Sequence, residues 1–195
     1  GTDCAADPAT TGYFVNHIAL LVNDIEVSRK WYSEVLGMRH AFTFDISEDF
    51  TLMYMGHSQA GRNGMGFQTG AEMVRDKNNM AGMVEFQWNK KQKEERKFDA
   101  NPRNTVSHLG LIVPDLIAAQ ERFISLNVTI IKRAGELDWS PETGNRIFAG
   151  AWGFNNLEDP EAQESIRKAM PGIDAIGFKD FILIADPDGN LFEVQ

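Results

Sequence analysis

Residues 15–25 read VNHIALLVNDI and residues 106–116 read VSHLGLIVPDL, nearly the same strand written twice. His17 and His108 lie 91 residues apart, and each is followed seven positions later by an aspartate, Asp24 or Asp115. A repeat of that length is far longer than a solenoid period, so its unit is a half-domain with several elements of its own. The residues between each histidine and aspartate are apolar strand formers.

The continuation is alike in both copies. Asp24 is placed to cap a helix with Val27, Trp31 and Val35 as its apolar stripe and Gly37 as its stop. Asp115 is placed to cap a second helix with the stripe Leu116, Ala119, Phe123 and Leu126, ending at Asn127. Strands are expected at 39–45, 50–56 and 82–88 in the first half, and at 128–132, 180–185 and 190–195 in the second. The last two are joined by DPDG at 186–189, a turn with Pro second and Gly fourth. The predicted class is α+β, two βαβββ modules within one domain spanning 13–195. The first module is 13–89, a charged connector is 90–104, and the second module is 105–195 with an insertion at 133–179. That insertion exceeds the ~12 to 15 residues of a plain connection and contains Trp139, Trp152 and a helix expected near 160–169, so a lid or partner surface is expected there. Residues 1–12 read as a small, polar, aperiodic tail.

Composition narrows the partners. With 19 Lys and Arg against 28 Asp and Glu the net charge is −9, which repels phosphate backbones and anionic lipid and points to a small molecule rather than nucleic acid or membrane. No apolar run approaches the ~18 residues of a membrane span. Cys4 is the single cysteine, so no intrachain disulfide exists. The opening GTDCAADPATTG has no initiator Met and fits a processed secretory protein as well as a cloning remnant.

On a strand, His17 shares its face with Ala19 and Leu21, and His108 shares its own with Gly110 and Ile112. Each half also ends in a strand with one acidic residue among apolar ones, Glu85 in GMVEFQW and Glu193 in NLFEVQ. A carboxylate so flanked is costly to bury unless paired or bound to metal. His17, Glu85, His108 and Glu193 are therefore the candidate metal ligands, two per half, able to converge if the halves face one another. Two imidazoles and two carboxylates suit a divalent ion such as Zn²⁺ or Ni²⁺. His40 and His57, without repeat partners, read as surface or strand-end residues, and Trp31, Trp88 and Phe123 as core.

The stretches HIALLVNDIEVSRKWYSEVLGM, GMVEFQWN, VSHLGLIVPDL and DPDGNLFEV resemble the vicinal oxygen chelate superfamily, and within it the glyoxalase I (lactoylglutathione lyase) family. The resemblance runs from about residue 14 to 195, the insertion excepted. It implies paired βαβββ modules, a divalent metal, and isomerisation of the hemithioacetal of methylglyoxal and glutathione to S-lactoylglutathione through an enediolate. It implies Glu193 as principal base, Glu85 as opposing carboxylate, a homodimer and a cytoplasmic setting; His17 at the first ligand position is similar to bacterial-type, often nickel-activated members. Asn89 matches a glutathione-binding asparagine, while Arg103 and Lys132 fall near basic positions that contact the same cosubstrate. Leu21 stands where the family places an arginine on glutathione's carboxylate, and Asn104 where it places another. The alternatives of the same fold are a glutathione-independent enzyme, epimerase or dioxygenase, and a non-catalytic ligand-binding protein. A second carboxylate disfavours the dioxygenase, and retention of all four ligand types disfavours the binding protein.

Overall fold

The computed structural model describes residues 4–5, 8–10, 15–90, 106–154, 156–175 and 177–195. The charged connector lies almost wholly outside them. Of the opening tail only two short pieces are described, one of them a 3-10 turn at Pro8–Thr10. The chain divides into two compact units, Gly1–Lys93 and Glu94–Gln195.

The first unit runs β1 (His17–Leu21), α1 (Ile25–Glu34), β2 (Arg39–Asp45), β3 (Phe50–Gly56), α2 (Gly70–Asp76) and β4 (Met83–Asn89). The second runs β5 (Leu109–Leu111), α3 (Leu116–Ser125), β6 (Thr129–Lys132), α4 (Arg146–Ala151), α5 (Pro160–Ala175), β7 (Ile182–Ala185) and β8 (Leu191–Val194). The sheets are ordered β1-β4-β3-β2 and β5-β8-β7-β6, so the duplicated βαβββ plan holds strand for strand. In each sheet the first strand pairs parallel with the last, and the remaining pairs are antiparallel.

The helix signals act as their chemistry requires. The Asp24 carboxylate accepts from the Glu26 and Val27 backbone N–H groups at 3.0 and 3.1 Å, and Asp115 accepts from Ala118 at 2.9 Å. Gly37 and Asn127 turn the chain through left-handed conformations after the two helices, with φ of 71° and 54°. The stripe of α1 is shifted, however. Within the helix Ile25, Ser28 and Tyr32 are buried and Val27 is 51% exposed, while Val35 of the expected stripe is buried at the C-cap. Tyr32 packs edge-on against Phe86 of β4 at 4.7 Å, and that contact, rather than the four-residue spacing of apolar letters, sets the helix face.

Between β3 and β4 stands α2, which the strand-by-strand reading did not anticipate. Thr69 and Glu72 form a reciprocal capping box at its start, and Met73 joins Ala41, Met80 and Met83 in a small core. The insertion builds a larger one. Trp139, Phe148, Leu157, Ile166, Ile173, Phe178 and Phe181 pack together with Leu183 of β7. Leu183 faces Glu193 across the β7–β8 pair, so the insertion is packed on the sheet face that carries Glu193. Phe123 is buried as expected, and Trp139 and Trp152 serve packing in this cluster. The DPDG turn closes β7 on β8, with the Asp186 carboxylate accepting from the Asp188 and Asn190 backbone N–H groups at 2.9 and 2.7 Å. Among the described residues no helix is long and apolar enough to cross a membrane.

Candidate metal centre

Parallel pairing of the first and last strands puts each histidine beside a glutamate. In the first unit Ala19 is level with Glu85, and His17, two residues earlier, projects from the same face. The result is His17 Nε2 at 3.2 Å from Glu85 Oε2. In the second unit Gly110 is level with Glu193, and His108 is again two residues earlier. His108 Nε2 stands 3.3 Å from Glu193 Oε2. Four residues chosen from the repeat are thus brought together as two matching pairs. Among the described residues no group of three or more His, Cys, Asp or Glu is gathered.

Each pair passes a spacing test for a shared cation. Two donors about 2.1 Å from one ion stand roughly 3.0 Å apart at a right angle and roughly 3.4 Å apart at a tetrahedral angle. The two observed spacings, 3.2 and 3.3 Å, lie between these limits. The donor types and their separation fit a divalent ion.

The two carboxylates are held differently. Glu85 is 6% exposed and is buried with partners: Tyr54 Oη donates to Oε2, and Gln87 Nε2 donates to Oε1 at 2.9 Å. Tyr54 lies directly across from Glu85 on β3, stacks on Phe42 at 4.7 Å and meets the His17 ring edge-on at 5.2 Å. Burial, followed by the bond to Glu85 and that group's charge, pushes the Tyr54 phenol up to about 12, so it stays a hydroxyl donor. Gln195 repeats the part of Gln87 by donating to Glu193 Oε1. Across from Glu193, though, stands Leu183, which has no hydroxyl to give.

The remaining candidates are placed as follows. Lys132 is 4% exposed, and its ammonium donates to the carbonyls of Phe181, Lys179 and Arg133 at 2.6, 3.2 and 3.2 Å. Those bonds engage all three of its hydrogens. Burial chiefly draws Lys132 down to about 8, against the pull of Asp180, Glu136 and Glu193. Asn89 ends β4 opposite Phe50, and Arg103 is outside the described residues. His40 is exposed and bonded to Thr43 Oγ1 at 2.8 Å; His57 follows the end of β3, half-buried, with burial lowering its pKa. Sequence reasoning passed over Tyr54, Gln87 and Gln195. The glutamines were findable, because each stands two places after the glutamate of its repeat; Tyr54 emerges only from strand pairing.

Comparisons with known proteins agree with this architecture. The family described as Glyoxalase/Bleomycin resistance protein/Dioxygenase superfamily matches residues 14–161, and the chain belongs to it. It is similar to a lactoylglutathione lyase of Pseudomonas putida, 29% identical over 141 residues, covering 70% of this chain and 80% of the relative. It is also similar to a lactoylglutathione lyase of Pseudomonas aeruginosa, 30% identical over 139 residues, covering 65% and 72%. Among solved structures it resembles the trypanothione-dependent glyoxalase I of Leishmania major, with a TM-score of 0.50, 17% identity, and 93% of this chain and 85% of that one covered. Glyoxalase I of Zea mays gives a TM-score of 0.52 at 16% identity, covering 92% of this chain and 43% of that one. These structural likenesses speak for the fold.

Proposed function

We propose that the chain is a metal-dependent lyase of the glyoxalase I type, isomerising the hemithioacetal of methylglyoxal and glutathione to S-lactoylglutathione. The observation that carries this is the duplicated histidine–glutamate pair at ligand spacing, and the curated relatives supply the reaction class. His17, Glu85, His108 and Glu193 are the residues that would serve as ligands to Zn²⁺ or Ni²⁺. When bound, such an ion supplies Lewis-acid stabilisation to negative charge on two neighbouring substrate oxygens.

The proton traffic belongs to the carboxylates. Glu193 removes the proton from the sulfur-bearing carbon and returns it to the adjacent carbon, while the hydroxyl proton passes from the first oxygen to the second, so the reaction is an internal redox isomerisation with no further reactant. That assignment comes from the family resemblance, and one difference in tethering supports it: each carboxylate accepts from a glutamine, Gln87 or Gln195, but Glu85 also accepts from Tyr54, whereas Glu193 has Leu183 across the strand and is freer to turn between ligand and base. Asn89 is the proposed contact to glutathione, and the family resemblance adds Arg103 as a second candidate; Lys132 serves the scaffold through its three carbonyl bonds. A second reading, the same site acting without glutathione, is favoured by Leu21, a 52% exposed apolar residue where the family's arginine would stand.

The test is direct. Protein stripped by chelator and reloaded with Ni²⁺ or Zn²⁺ should form thioester from methylglyoxal only when glutathione is present, and Glu193→Gln should lose turnover while keeping most of its bound metal. A metal-replete sample that forms no thioester removes the lactoylglutathione reaction. Unchanged turnover in Glu193→Gln removes its role as base.

A further inference from the structure

Behind each histidine stands the residue that precedes it in the chain. Asn16 Nδ2 donates to the carbonyls of Lys77 and Met80 at 2.8 and 2.7 Å, so both amide hydrogens are engaged and the orientation of the amide is set. Its Oδ1 then lies 2.9 Å from His17 Nδ1 and can only accept. In the second unit Ser107 Oγ is 2.5 Å from the Ala151 carbonyl and 2.7 Å from His108 Nδ1. A carbonyl accepts and a hydroxyl has one hydrogen, so that hydrogen goes to Ala151 and Oγ accepts from His108 Nδ1.

Both rings therefore carry their hydrogen on Nδ1, and a neutral ring in that tautomer has a bare lone pair on Nε2. In both units Nε2 is the atom that faces glutamate Oε2, at 3.2 and 3.3 Å. A lone pair facing a carboxylate oxygen lacks a positive centre between them, and a metal ion supplies it.

We propose that Asn16 and Ser107 are positioning residues that commit His17 and His108 to the metal-accepting tautomer, and that the insertion is a working part of the second unit's site. The first anchor comes from the segment leading into β4, the strand that carries Glu85. The second comes from the last residue of α4, and the next residue, Trp152, stacks on the His108 ring at 4.9 Å and 25°. An amide in one half and a hydroxyl in the other achieve the same end at equivalent repeat positions. This rests on the reading that the pairs hold a cation.

The experiment uses full-length, metal-free protein with ¹⁵N-labelled histidine in mildly alkaline buffer, followed by Ni²⁺ titration against a competing chelator. The native rings of His17 and His108 should show hydrogen on Nδ1 and a bare Nε2. Asn16→Ala and Ser107→Ala should each show mixed tautomers and bind Ni²⁺ about 10- to 100-fold more weakly, with unchanged circular dichroism. Ser107→Thr, which keeps the hydroxyl, should restore both readouts. Hydrogen on Nε2 in the native rings, or a Ser107→Ala variant with a single native tautomer and native affinity, overturns the proposal. Native protein that binds no Ni²⁺ defeats the metal reading, and the tautomer spectra still decide the lock; full Ni²⁺ binding by both alanine variants defeats the lock and leaves the metal reading standing.

Discussion

At the scale of single residues, the two halves differ most where Tyr54 faces Glu85 and Leu183 faces Glu193. A carboxylate in a mostly dry position needs hydrogen-bond donors, and Glu85 obtains one from Tyr54 that no backbone group replaces. Tyr54→Phe keeps the ring that stacks on Phe42 while deleting the hydroxyl, leaving one oxygen of Glu85 short of a donor. Chemical denaturation should report a loss of about 1–3 kcal/mol, the usual cost of an unsatisfied buried group. An unchanged midpoint would mean that water or His17 fully replaces the phenol. Lys132 shows the opposite lesson. As a letter in the sequence it reads as a ligand contact, yet its ammonium fastens the end of the insertion to β6 through backbone carbonyls.

At the scale of elements, the insertion is a second core as well as a long connection. Helix α5 was expected to end near 169, ahead of Pro171 and Gly172, but it continues to Ala175. A proline inside a helix costs ~3 kcal/mol or more, whereas Ile166 and Ile173 are both buried in the aromatic cluster, each contributing ~1.5–3 kcal/mol. Burial on both sides of the proline offsets the break. Phe148 is 1% exposed and touches Trp139, Trp152, Phe178 and Phe181, so it is the ring on which α4 depends. Phe148→Ala should destabilise the protein by about 3–5 kcal/mol in thermal or denaturant unfolding, with hydrogen-exchange protection lost first along α4 and α5. Retained protection there would show that the cluster does not hold these helices. Helix α2 was legible in principle from the capping-box letters of Thr69 and Glu72, whereas α4 is six residues held by the tertiary cluster and by the Asn145 cap.

At the scale of the whole molecule, a homodimer that pools donors from two copies makes a distinctive prediction. Co-expressed His17→Ala and His108→Ala chains, each inactive alone, should recover metal-dependent turnover to about a quarter of native, because half of the dimers would contain one intact site of two. No recovery would place all four donors in one chain. The succession of strands and helices in each half, the helix caps and the choice of the four metal-binding candidates were already legible in the duplicated strands and their closing acidic residues, because side-chain alternation and capping act over a few neighbouring positions. The face that α1 buries, the oxygen of each glutamate that meets a histidine, the donor across from it, and the packing of the insertion on the Glu193 face were settled only by tertiary structure. These depend on lateral contacts between segments far apart in the chain, which no local periodicity encodes.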